Sequence, residues 1–185
     1  MWEDAGAWQY VNTEGDRCWT TEDFYNAMVA LGNAGYIGVN VYCGGQGGDQ
    51  GTRALVNNLF SGHIYEDGKW VANTPETVDA LEMLLELYNT GAIDFGRSMV
   101  AADELQLYQF QQIASTICWG TSNAVNYATD AFTQFSVPFP SDDGVPELEY
   151  LANGFCVFDN GDAAKIEASK KLIQFFCDDP VYGPK

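Results

Sequence analysis

The stretch with the most chemical potential is Ala114 to Asn123, ASTICWGTSN, where one large aromatic, Trp119, is followed at once by Thr121, Ser122 and Asn123. A flat apolar face beside short hydroxyl and amide groups suits a polar, neutral ligand such as a sugar. Core packing is the other common use of a tryptophan at the end of a strand. A second polar group, Asp49, Gln50 and Arg53, closes the glycine-rich run that begins at Gly44. The run does not fit a dinucleotide fingerprint, because the third glycine falls at Gln50, and no Gly-Lys-Ser/Thr follows for a P-loop. It reads either as a loop over a ligand cleft or as a surface connector. Asn153, beside Gly154, is a further candidate ligand contact.

Other chemistry is harder to build. His63 is the one histidine and sits in a turn-like Ser-Gly-His-Ile context, so a Ser-His or Cys-His nucleophile would rest on it alone. Asp142-Asp143-Gly144 and Asp159-Asn160-Gly161-Asp162 lack the spaced ligands and closing Glu of a calcium loop and read as turns. The five cysteines are far apart, without a Cys-x-x-Cys pair, so we expect neither a metal site nor a disulfide framework. No cofactor motif is present. The many acids allow a glycan-active hydrolase with paired carboxylates as an alternative, but none of them forms a distinctive pair.

The charge narrows the partners. With 26 acidic against 8 basic side chains and a net charge of -18, clustered cations for nucleic acid or an anionic membrane are lacking. A hydrophobic share of 46% leaves ample apolar surface for a core. No run has the length and apolarity of a membrane helix, and the first residues show no signal-peptide pattern.

The elements that must position these groups alternate between helix and strand, which predicts an α/β class. Thr20-Thr21-Glu22-Asp23 signals a helix start, with Phe24, Met28 and Leu31 inward and a stop near Gly35. Residues 36–43 alternate as a strand. A helix follows the glycine run, with Leu55, Val56, Leu59 and Phe60 on its apolar face. Asp67-Gly68 predicts a hairpin turn. Thr74-Pro75 starts a helix that Gly91 ends, its expected buried stripe being Val78, Leu81, Leu84, Leu85 and Tyr88. We expect a helix over 101–113, strands at 115–118 and 132–137, a short helix at 121–128 and extended chain over 148–158. A last helix is expected over 163–177. Residues 2–19, aromatic and aperiodic, read as a loop that defines no site.

The order of these motifs resembles the family 1 extracellular solute-binding proteins, receptors of carbohydrate ABC importers related to maltose-binding protein. The marks are Trp19-Thr20-Thr21-Glu22-Asp23-Phe24, then Glu66-Asp67-Gly68-Lys69-Trp70 with Asn73-Thr74-Pro75-Glu76. Val137-Pro138-Phe139-Pro140 and Lys170 to Pro180 complete the set, and the likeness covers about residues 17–180. Gln112 departs from the family's glycine, and Trp119-Gly120-Thr121 is shifted from its Gly-x-Trp. The resemblance implies a periplasmic-binding-protein-like (type II) lobe in an incomplete two-lobe architecture. In it, 1–137 would be the second lobe with its leading segment, and 138–185 would cross back to a largely missing first lobe. It also implies a non-enzymatic receptor, extracellular or periplasmic and lipid-anchored, that binds a carbohydrate and delivers it to ABC transporter permease subunits. We expect a monomer, weak or undetectable sugar binding by this chain alone, and an apolar face on the last helix without its partner.

Overall fold

The computed structural model describes residues 1–44, 50–118, 129–145 and 155–178. They fall into two compact units, Met1–Glu149 and Tyr150–Lys185. The first unit is mixed helix and strand, as the alternating pattern requires, so the chain is α/β in class.

Helix α1 (Thr21–Asn33) follows one 3-10 turn at Ala7–Tyr10. Its start is a reciprocal cap: the Asp23 amide donates to Thr20 Oγ1 (3.1 Å), and the Thr20 amide donates to Asp23 Oδ2 (3.0 Å). Phe24, Ala27, Met28 and Leu31 are buried at helical spacing, and Gly35 turns the chain with φ +84°. Strand β1 (Asn40–Tyr42) is shorter than the alternating pattern suggested, and all three of its residues are buried. Helix α2 (Gln50–Leu59) packs against α3 (Pro75–Asn89). Between them stands the hairpin β2 (Tyr65–Glu66) and β3 (Lys69–Trp70), whose Asp67-Gly68 turn has both φ angles positive. Strand β4 (Asp94–Gly96) pairs in parallel with β1, Val41 opposite Phe95, and α4 (Ala101–Gln109) follows.

Four expectations are corrected. The buried face of α3 is Ala80, Leu84 and Leu87, while Leu81 and Leu85 are half exposed at 50% and 52%. The apolar arc of this helix is wider than the face the core covers, so composition alone selects the wrong edge. Helix α4 ends at Gln109 rather than 113, because Gln111 takes φ +56° and the Gln112 amide turns back to the Leu107 carbonyl (2.8 Å). The one buried residue of α4 is Glu104.

Residues 115–118 are not a regular strand. The Ala114 and Ser115 amides donate to the Ile37 and Gly38 carbonyls (both 2.8 Å), and the chain then bends away. Nor is 132–137 a strand. This run is held by side-chain donors: Arg17 reaches the Ser136 carbonyl (3.1 Å) and the Trp19 indole the Pro138 carbonyl (2.8 Å). Pro138 and Pro140 have no amide hydrogen to give a ladder. One parallel bridge, Thr20 with Ser141, completes the alignment.

The second unit contains α5 (Ala163–Asp178), close to the expected span. None of its residues is buried, and Phe175 is 60% exposed. The expected helix at 121–128, and most of the extended run 148–158, lie outside the described residues.

Candidate functional site

A cavity of about 610 Å³ opens in the first unit, within the size range of small-ligand pockets. Three parts of the chain supply most of its lining. The leading segment supplies Trp2, Trp8 and Trp19. Residues 113–117 form a second wall, and the extended run 132–140 forms the third.

The rings are oriented by contacts with one another and with the backbone. Trp2 stands 5.2 Å from Trp8 between ring centres, Trp8 meets Phe135 edge-on at 5.2 Å, and Trp19 meets Phe24 edge-on at 5.6 Å. The Trp2 indole N–H lies 3.1 Å from both the Ala114 carbonyl and Ser115 Oγ, which ties the leading segment to the second wall. Trp19 uses its indole N–H on Pro138, so both rings are pinned by their polar edges and present apolar surface. Trp8 is 36% exposed. At the outer side the Arg17 guanidinium lies 4.4 Å above the Phe135 ring. Ser115, Thr116, Gln111 and Ser136 add hydroxyl and amide groups to the lining.

Behind the second wall is a buried acid. Glu104 has no exposed surface, and its two oxygens accept from Thr116 Oγ1 (2.5 Å) and the Ile117 amide (3.0 Å). Burial pushes its carboxyl up to about 7, even though both hydrogen bonds favour the ionised form. Burial, with Glu104 nearby, also pushes the Cys118 thiol up to about 11 and raises Tyr108 above its ordinary 10. Thr116 Oγ1 in turn accepts from the Cys118 amide (3.2 Å). The wall is clamped from the other side by α2, where a side chain on Gly51 would run into the Ile117 carbonyl and the Tyr42 hydroxyl. The Gly51 amide donates to that hydroxyl (3.0 Å), and Thr52 Oγ1 donates to the Tyr42 carbonyl (2.6 Å).

The stretch Ala114 to Asn123 therefore enters the cavity through its first residues, Ala114 to Ile117. Trp119, Thr121, Ser122 and Asn123 lie outside the described residues, as do Asp49 and Asn153. Gln50 is the first residue of α2 and half buried, Arg53 is exposed one turn on, and neither lines the cavity. Trp2, Trp8 and Phe135 were not singled out, since the two tryptophans lie in the aperiodic leading segment and Phe135 in a run read only as a strand. The available signal was density, three tryptophans among the first nineteen residues. Glu104 carried no signal, as an acid on a short helix is ordinarily solvated. Among the described residues no cluster of metal-ligating side chains occurs, and the five cysteines are unpaired. Compared with protein-family models, curated proteins and solved structures, the chain matches none of them.

Proposed function

We propose that the chain is part of a carbohydrate-binding receptor of an ABC importer, with the aromatic cavity as its sugar subsite. The observation that carries this is the lining: tryptophan and phenylalanine rings share a cavity of about 610 Å³ with hydroxyl and amide side chains. Sugar rings match such a surface, since their C–H faces stack on aromatic planes while their hydroxyls need directed donors and acceptors. The cavity is built on the α/β unit, which this reading takes as one periplasmic-binding-protein-like lobe that closes on its ligand against a second lobe. Extracellular or periplasmic placement, a lipid anchor, a monomeric state and delivery to permease subunits belong to the same proposal.

The receptor is non-enzymatic. Among the described lining residues Glu3 is the one carboxylate, whereas the hydrolase alternative needs two facing each other. The test is a titration of the indole N–H signals of Trp2, Trp8 and Trp19 by NMR with neutral glucose, galactose, mannose and xylose oligosaccharides. Millimolar affinity, about 4 kcal/mol, is expected, with the Trp8 signal moving most and Trp8→Ala weakening the binding. If no sugar in the panel at about 50 mM moves any of the three signals, the reading fails.

A further inference from the structure

Among the described residues, Thr116 is the one cavity-lining side chain that is hydrogen-bonded to a fully buried acid. Its hydroxyl oxygen has three positions for partners besides its own carbon. One faces Glu104 Oε2 at 2.5 Å, and one receives the Cys118 amide at 3.2 Å. The third is left for the cavity that Thr116 lines.

With Glu104 ionised, the Thr116 proton must point at Oε2, because a carboxylate only accepts. Thr116 then offers the cavity a lone pair. When Glu104 takes up one proton from solvent, placing it on Oε2 leaves Oε1 as the carbonyl acceptor for the Ile117 amide. The carboxyl O–H now donates to Thr116, and the threonine's own proton turns to the remaining position. The cavity gains a donor where it had an acceptor.

We propose that Glu104 acts as a positioning residue whose protonation switches Thr116 between hydrogen-bond acceptor and donor toward a ligand in the cavity. The ligand chemistry this selects in acid is a group that only accepts, such as a sugar ring or glycosidic oxygen, so binding is coupled to the uptake of one proton. This coupling to ligand rests on the receptor reading; the switch within the empty protein does not.

The ionisable groups around the pair are compatible with it. Tyr108 comes from Glu104's own helix and Cys118 from the wall. From β1 comes Tyr42, whose hydroxyl and the Ile117 carbonyl both crowd Gly51 of α2. Tyr108 is raised above 10 and Cys118 stands at about 11, so both stay neutral while Glu104 titrates near 7. The carboxyl therefore changes charge alone in that window.

The experiment has two arms. In the protein without ligand, the Glu104 carboxyl carbon and the Thr116 methyl are followed by carbon NMR from pH 5 to pH 9. Both are expected to titrate together near neutrality, and in Glu104→Gln the Thr116 signal should become flat. A Thr116 signal that ignores pH in the wild type overturns the switch.

In the second arm, cellotriose affinity is measured at pH 5.5 and pH 8.5. Tighter binding in acid is expected by about fivefold, the worth of one neutral hydrogen bond, and Thr116→Val should abolish the difference. Equal affinity at both pH values overturns the coupling and leaves the receptor reading intact. No binding of cellotriose at either pH, with the first arm positive, refutes the coupling for this sugar class while the switch stands. A failure of the whole sugar panel is what removes the receptor reading itself.

Discussion

Replacing Glu104 with glutamine should stabilise the first unit in mild alkali and leave its stability almost unchanged in mild acid. The carboxyl ordinarily titrates at 4.5 and is raised to about 7 in the folded chain by burial. Between those values the folded state holds a proton that the unfolded state has lost, so stability falls as pH rises through the window. The full cost above neutrality is the shift times the free energy per pKa unit, about 3 kcal/mol. Roughly 2.5 kcal/mol of it develops between pH 5 and pH 8.

Glutamine carries no charge and can keep both contacts, its oxygen on the Ile117 amide and its NH₂ on Thr116 Oγ1. Urea unfolding at pH 5 and pH 8, followed by tryptophan fluorescence, measures the effect. Other carboxylates also change charge over this range, so the quantity to compare is the difference between wild type and variant. Glu104→Ala separates charge from contact: it orphans the Ile117 amide and should destabilise at pH 5 by about 1–3 kcal/mol. Parallel stability–pH curves for wild type and Glu104→Gln would refute the argument that this buried carboxyl ionises within the fold.

Three further outcomes follow from the packing. Leu84→Ala should cost about 2–5 kcal/mol, and Leu81→Ala should stay within about 0.5 kcal/mol. Thermal melts that rank the two the other way would restore the face expected from sequence. Gly51→Ala should cost at least about 1–3 kcal/mol, because the added carbon meets a backbone carbonyl and the buried Tyr42 hydroxyl; an unchanged melting temperature would show that α2 does not clamp the wall. Thr20→Ala removes the acceptor for the Asp23 amide, and a loss of about 1 kcal/mol is expected in the same melts.

What was legible in the sequence was local. Thr20 with Asp23, Thr74 with Pro75, Asp67-Gly68 and Gly35 each act within a few residues of themselves. Accordingly α1, α3 and the hairpin start and stop where those residues dictate. The buried side of α3 was not legible, because its apolar residues span more of the helix than one neighbour covers. Which part is covered depends on α1 and α2, not on α3. Strand expectations failed at 115–118 and 132–137 for a related reason. Both runs are apolar enough for a sheet, but their partners are single carbonyls, indoles and one buried acid.

The candidate site was the least legible part, and its geometry shows why. Its walls come from residues 2–28, 113–117 and 132–140, and the contacts joining them span more than a hundred positions, as between Trp2 and Ala114 or Trp19 and Pro138. The last of these contacts also sets a direction that no motif announced. Arg17, Trp19 and Thr20 meet Ser136, Pro138 and Ser141 in the same order, so the two segments run parallel. The run 132–140, aligned in this way, forms one wall of the cavity, where Phe135 meets Trp8.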